Sequence, residues 1–519
     1  MGHKTFILQL ASIIAVTTAG ILSSHAEELV ILQTNDTHSQ IDPLEEKDLG
    51  GILRRKVVID SVRQRDKNVL LVDDGDAVQG TLFFNLYKGE VENKLMDDLG
   101  YEIRILGNHE FDNGMDELEK MLKDSKSTFI STNYRFTQPG LAQQFKPYTI
   151  KTYGDKRVGI IAINLDPKGM IADDNCVGVT YLDPYDAANS MAWYLKNVEG
   201  VDYVIAMTHI GYNPENTTLS DVQLAHKSKD IDLILGGHSH TTIDPSNPKS
   251  PVSQIVNACG DTVTITQAGK SGLNISRVAI NLDNGNINYS LIPIDNRLDD
   301  RIDKRLAQEI EPYRAGVDSL MNVKLATSAI TLYNYEAPLL NFVADFIRDN
   351  GNNLLKQAGI KDHPTVDLAI INKGGLRRSL PKGKISDGMV ITCLPFNNRT
   401  RVVDIKGRDL IAVLDTMAAR GGDGVSSEAD ITFNPQTKSV ISVKINGLEL
   451  NPETTYRVAT IDYLANGGDY LTGFRNSTKV AESKSVLYQD LINYLKKNYK
   501  NKKINPSDKV RMRPIDIKK

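Results

Sequence analysis

The chain has 519 residues, a net charge of −4 and 24% charged residues. That length exceeds one ordinary core and predicts two domains, and the charge argues against a general nucleic-acid binder. Three well-separated cysteines, Cys176, Cys259 and Cys393, make neither a disulfide framework nor a thiolate metal site.

The first element is a targeting segment. Lys4 precedes the apolar run Phe6 to Leu22, and Ser24 and Ala26 place small residues at −3 and −1 of a cleavage site. This predicts a signal peptide over residues 1–26, and export to a periplasm, the medium or the cell surface. The rival is an uncleaved anchor, since the uncharged stretch nearly reaches spanning length. If the signal is cleaved, no membrane anchor is expected.

Five apolar runs then end in polar residues of one chemistry. LVILQTNDTH ends in Asp36 and His38, VLLVDDGD in Asp74 and Asp76, IRILGNHE in Asn108 and His109, YVIAMTHIG in His209, and IDLILGGHSH in His238 and His240. Continuous Val/Ile/Leu runs suit strands buried on both faces. Helical stretches separate several of them, for instance Glu90–Leu99 and Asp186–Asn197. The pattern predicts an α/β layered domain with its ligands beyond strand C-terminal ends.

Of the nine histidines, His3 and His25 fall in the signal; of the other seven, only His226 and His363 lie outside these strand ends. One such histidine is usually a surface or core residue. Five together point to metal binding. Oxygen and imidazole ligands without thiolate suit Zn²⁺, Mn²⁺, Fe or Co²⁺. The candidates are too many for one ion and suit two, sharing a bridging carboxylate, the arrangement used for in-line displacement at phosphorus.

In this order, D-x-H, G-D, G-N-H-E, H and G-H-x-H resemble the calcineurin-like metallophosphoesterases. More narrowly, NDTH, GDAVQGT, LGNHEFDNG, GGHSH and QAGKSG resemble the two-domain 5′-nucleotidase family, which includes bacterial UDP-sugar hydrolases and animal ecto-5′-nucleotidase. The resemblance covers nearly the whole mature chain. It implies two divalent ions (Zn, Mn or Co), one on Asp36, His38 and His240, the other on Asn108, His209 and His238, with Asp76 bridging. It implies His109 as the catalytic histidine and Asp112 as the acid that orients it. Asp73 and Asp74 are expected as strand-end acids rather than ligands, Glu110 as a hydrogen-bonder inside the turn, Gly107 as the residue that lets the backbone turn, and Gly114 as the turn's close.

Asp300 to Met321 reads as a charged amphipathic helix and connector, and a second α/β segment begins near Leu325. INKGGLRRSL, LPFNNRT and DYLANGGDY supply what a nucleotide needs. Arg377 can grip phosphate, Phe396 and Tyr463 can sandwich a base, and Asp469 can accept from ribose hydroxyls. The same segments resemble the family's C-terminal domain, which implies Asn372 and Arg377 as phosphate-side contacts, Phe396 and Tyr463 as the stacking pair, Asp469 as the sugar contact and Asn398 at the base edge. In the family this domain rotates to carry substrate to the metals. Three departures stand out: Tyr463 where Phe is usual, no arginine before Glu336 in LYNYEAPLLN, and extra cations at Arg378, Arg399 and Arg401. They leave the preferred phosphate length open. The basic stretch Lys496–Lys519 reads as a solvated helix end and tail.

The expected fold class is α/β: a layered metallophosphoesterase domain of β-sheets flanked by helices (residues 27–298), a connector or hinge (299–324), and a smaller α/β substrate-binding domain (325–519). The expected activity is release of phosphate from nucleotides, with no nucleic acid as partner and an oligomeric state that the sequence does not give. The alternatives are a UDP-sugar hydrolase, a 2′,3′-cyclic nucleotide phosphodiesterase with 3′-nucleotidase activity, and, in another class, an exported nucleotide-binding protein without catalysis.

Overall fold

The structure is a computed structural model that describes residues 27–44, 47–213 and 219–515. The expected signal peptide lies outside the described residues.

Two sheets form the core of the first half. One has seven strands, in the order Ile287–Pro293, Asn274–Asn281, Glu28–Thr34, Val69–Asp73, Ile103–Arg104, Thr128–Ile130 and Phe145–Lys146. The other has six, in the order Gln254–Val256, Thr262–Thr266, Leu233–Leu235, Tyr203–His209, Lys156–Asn164 and Tyr148–Tyr153. Strands pair in parallel where the candidate ligands emerge: Thr34 stands opposite Asp73, Asp73 opposite Ile105's neighbour Arg104, and Met207 opposite Leu235. Parallel alignment brings the C-terminal ends of neighbouring strands to one edge.

The period-2 alternation of a strand sets the layers. Leu29 and Ile31 face a core shared with Ile160, Val204 and Ile234 of the second sheet. Val30 and Leu32 face the opposite way, onto Val58 and Val62 of the helix Ile52–Arg65 and Leu95 of the helix Glu90–Leu99. The five runs therefore end along the edges of two packed sheets, with Asp36, Asp76 and Asn108 following strands of one and His209 and His238 following strands of the other.

A 19-residue helix, Lys304–Asn322, leads into the second half. Its start buries Leu306 and Ile310 in the core of the first half, whereas Leu320 and Met321 pack on the core of the second. The second half contains a five-stranded sheet, in the order Gly424–Val425, Leu368–Ile371, Thr455–Ile461, Thr400–Lys406 and Thr478–Glu482, together with three- and four-stranded sheets. The long helix Ala337–Gln357 packs against it through Phe342, Val343, Phe346 and Ile347.

The C-terminal stretch differs from the expected solvated tail. After the helix Leu487–Asn498, Lys503–Ile504 and Met512–Pro514 add parallel strands to two sheets. Ile504 and Met512 are buried, so isolated apolar positions outweigh the surrounding charge.

Candidate active site

Five of the seven ligand candidates stand in tight turns beyond their strands, whereas His209 ends its own strand. Asp36, His38, Asp76, His238 and His240 all have left-handed backbone, with φ of 50°, 48°, 52°, 76° and 56°. Such φ values are uncommon for residues other than glycine, and they cluster where surrounding structure holds a functional geometry.

Glycine serves this crowding in a way the sequence reading did not anticipate. Gly107 is not among the positive-φ residues; it is required because a Cβ there would fall 2.1 Å from Asp76 Oδ1 and 2.5 Å from Asp76 N. Space, not turning, fixes that position. Gly75 is the one that turns, at φ +85°. Glu110 fastens the turn from inside, accepting from the backbone amides of Gly107 (2.6 Å), Asp76 (3.1 Å) and Ala77 (2.8 Å). Gly114, at φ +81°, precedes the helix Met115–Leu122.

Two triads gather. In Asp36, His38 and His240 the ligand atoms lie within 4.8 Å of one another, with His38 Nε2 and His240 Nε2 2.9 Å apart and His240 Nε2 3.6 Å from Asp36 Oδ1. In Asp76, His209 and His238 the same limit holds, with His209 Nε2 3.2 Å from Asp76 Oδ2. Asn108 joins the second through its Oδ1, 3.0 Å from His238 Nδ1. His209 Nε2 also lies 4.0 Å from Asp36 Oδ1, so the triads adjoin.

Behind them stand supporting contacts. Asn35 donates to Asp36 Oδ2 at 2.6 Å, the His238 amide donates to the same carboxylate at 3.0 Å, and His209 Nδ1 donates to the Asp74 carbonyl at 2.7 Å. Asp73 accepts from the Thr34 hydroxyl at 2.6 Å. Among the described residues, neither Asp73 nor Asp74 belongs to a triad.

The donor set fits divalent metal. Burial, and next the Arg377 cation, hold His38 well below its ordinary value. Burial, then His209, lowers His238 to about 3, and burial, then Lys270, lowers His240 to about 2. All three shifts favour the neutral ring, the form in which imidazole ligates. Burial works against the charge on His209, but Asp76 and Asp36 outweigh it and raise it to about 10. Its Nε2 is buried 3.2 Å from Asp76 Oδ2, so a bound cation would take the place of the proton that the carboxylate otherwise holds there. Each triad brings together the donors that a divalent ion needs.

His109 shares a third triad with His38 and Asp76. Its Nδ1 is engaged by Asp112 Oδ2 at 2.9 Å, and its amide donates to Asp76 Oδ1 at 2.9 Å. Burial opposes its protonation, but Asp112 and Asp76 raise its pKa.

The second half closes the site. A cavity of about 680 Å³ is lined by Asp76, Asn108, His109, Asp112, His238 and His240 from the first half, and by Asn372, Arg377, Phe396, Asn398, Tyr463 and Asp469 from the second. Asp36, His38 and His209 lie buried behind that wall.

Two of these residues make contacts that the sequence reading did not include. Phe396, expected at the base, stacks on His109, with centroids 5.8 Å apart and planes 27° apart, and Arg377 lies 5.9 Å from the same ring. Asn372, expected at the phosphate, donates its amide to Asp469 Oδ2 at 2.7 Å. Of the extra cations, Arg401 is engaged by Glu482 and Asn466, and Arg378 donates to Gln40 at 2.6 Å.

Sequence reasoning missed Arg420. It donates to the Asp469 carbonyl at 3.0 Å, lies 3.3 Å from its carboxylate, and is paired with buried Asp423. The signal was available: Arg420 adjoins Gly421–Gly422, much as Arg377 follows Gly374–Gly375. It also missed Met170 and Ala172, which line the cavity from the first half.

Residues 29–242 match the calcineurin-like phosphoesterase family and residues 320–476 the 5′-nucleotidase C-terminal domain. A trifunctional nucleotide phosphoesterase from Bacillus subtilis is 28% identical over 94% of this chain, which spans 35% of that longer protein. A 5′-nucleotidase from Vibrio parahaemolyticus is 27% identical, with 89% of each chain covered. Among solved structures, a 5′-nucleotidase precursor from Thermus thermophilus superposes with a TM-score of 0.80 at 28% identity, covering 94% of this chain and 99% of that one.

Proposed function

We propose that this chain, which joins a calcineurin-like phosphoesterase domain to a 5′-nucleotidase C-terminal domain and so belongs to the two-domain 5′-nucleotidase family, is a 5′-nucleotidase that releases phosphate from nucleotides. That it is a metal-dependent phosphoester hydrolase follows from the family; the substrate and the roles below are our reading. The observation that carries it is the single cavity, in which ligand candidates and Arg377, Phe396, Tyr463 and Asp469 face one another.

In this reading Asp36, His38 and His240 would hold one divalent ion and Asn108, His209 and His238 another, with Asp76 available to both and Zn, Mn or Co as candidates. Such a pair supplies Lewis acidity and an acidified water near neutral pH. Arg377 holds a phosphate with its planar fork. His109, kept protonated by Asp112, donates its proton to the departing nucleoside oxygen. Phe396 covers the outer face of that imidazole and limits its contact with water. Tyr463 stacks on the base and Asp469 accepts from the sugar. Residues 27–298 form the catalytic domain, 299–324 the connector and 325–519 the substrate domain. Export with cleavage after Ala26 accompanies this reading, and the mass of the mature chain checks it.

The test is phosphate release from AMP, ATP, UDP-glucose, 2′,3′-cyclic AMP and an aryl phosphate, each with Zn²⁺, Mn²⁺ and Co²⁺. AMP is expected to give the highest kcat/KM. Preference for UDP-glucose or the cyclic nucleotide would move the assignment to those activities. Metal-loaded protein inactive on all five would leave nucleotide binding alone.

A further inference from the structure

One loop of the first half reaches the nucleoside side of the cavity. It follows the strand Lys156–Asn164 and closes on itself, the Pro167 carbonyl accepting from Met170 N at 3.1 Å and Ile171 N at 2.8 Å. Gly169 stands at its tip with φ +88°, and a Cβ there would come 3.1 Å from Cδ1 of Tyr470. Conformation and contact both call for glycine at this point.

The tip meets the turn that carries the base and sugar candidates. The Gly169 carbonyl accepts from the Asp469 amide at 2.8 Å and from the Tyr463 hydroxyl at 3.2 Å. That hydroxyl also lies 3.4 Å from the Met170 carbonyl and accepts from the Asp469 amide at 3.0 Å. Within the second half, Gly468 lies flat against the Tyr463 ring, where a Cβ would fall 2.5 to 2.6 Å from ring atoms. One face of the ring is thus covered by its own turn, and the hydroxyl end is held from the opposite half. Asp469 itself has left-handed backbone, φ 55° and ψ 30°, so its orientation depends on such outside contacts.

Resting on the nucleotide reading above, we propose that the Gly169–Met170 turn is a positioning element for nucleoside recognition: one main-chain carbonyl of the catalytic half fixes Tyr463 and Asp469, so that nucleoside binding and the docking of the two halves stabilise each other. A group that binds only the docked arrangement shifts the population toward it, and docking pre-orders the site for that group. The extra hydroxyl of Tyr463 acquires a task here that a phenylalanine cannot perform.

The test compares Tyr463→Phe, Gly169→Ala and the double variant, all as metal-loaded full chain. The readouts are KM and kcat for AMP, the inhibition constant of adenosine, and kcat/KM for an aryl phosphate in Gly169→Ala as a check on the metal centre. Losing one such hydrogen bond corresponds to roughly 2- to 10-fold in binding. Each single variant is therefore expected to raise the AMP KM and the adenosine inhibition constant by about that factor, and to raise KM by more than it lowers kcat. The double variant is expected to be no worse than the worse single one, because both cut the same link. Unchanged adenosine inhibition in Tyr463→Phe overturns the proposal, as do fully additive losses. Should Gly169→Ala fail to fold, Tyr463→Phe decides alone. A wild-type enzyme that cleaves aryl phosphate but not AMP would instead defeat the nucleotidase reading, so the two failures are separable.

Discussion

On one wall of the cavity, seven ligand candidates follow the ends of strands in two packed sheets, five of them with left-handed backbone, and Asp36, Asp76 and His209 are almost wholly buried. On the other wall, Arg377, Phe396 and Asn398 stand on loops of the second half and Tyr463 and Asp469 on short helical turns, and several rely on partners from elsewhere: Arg420 for Asp469, Gly169 for Tyr463, His109 for Phe396. The first wall is fixed by its own cores. The second takes its shape partly from contact with the first. Damage to the first wall should therefore abolish chemistry for every substrate, whereas damage to the second should be graded and substrate-dependent.

The largest effect is expected at Asp76, which belongs to the second triad and also lies within ligand distance of His38 in the first. Asp76→Asn is expected to reduce turnover of AMP and aryl phosphate alike to the uncatalysed level, and chelation with EDTA to do the same until a divalent ion is returned. Metal content by mass spectrometry checks it. Full activity in an exhaustively chelated, metal-free protein would break the comparison at its root.

His109 comes next. Its Nδ1 is taken by Asp112, but it also lies within ligand distance of His38 and Asp76. His109→Ala is expected to lower kcat by roughly 10²–10⁴-fold, the range for a positioned acid or base, while the protein still binds two ions. Asp112→Asn is expected to show a smaller loss of the same kind. An alanine variant that binds one ion fewer would make His109 a ligand and move the boundary between the two walls.

How much was legible follows the same division. The metal wall could be read because each ligand stands within a few residues of a strand end, and strands announce themselves by continuous apolar runs. Asp36 with His38, Asn108 with His109, and His238 with His240 are local words. Gly107 was misread because the need lies across the fold, against Asp76, where no spacing reveals it. The substrate wall was legible only as isolated residue types. That Asn372 points to Asp469, or that Gly169 meets Tyr463 across nearly 300 positions, depends on how two halves dock. Periodicity says nothing about that contact. The tail fails for a related reason: Ile504 and Met512 find their pockets in sheets built from earlier segments.

The smallest effect of these three, and the sharpest test of the division, is at Phe396. Its ring belongs to both walls, lining the cavity from the second half while stacking on His109 of the first. If it served only the base, Phe396→Ala would spare a small aryl phosphate. Because it also shields the imidazole, both substrates are expected to fall. Stacking on a base is worth about 1–3 kcal/mol by alanine substitution, so the AMP kcat/KM should drop by roughly 5- to 150-fold. The aryl phosphate should drop less, through kcat rather than KM, since its loss comes only from the altered surroundings of His109. The pattern is read from kcat and KM of both substrates in a folded protein with two ions bound. An aryl phosphate that is wholly unaffected would return Phe396 to the substrate wall alone and leave its stacking on His109 without catalytic weight. Equal losses for both substrates would show that the ring contributes nothing to the base, and base recognition would then rest on Tyr463.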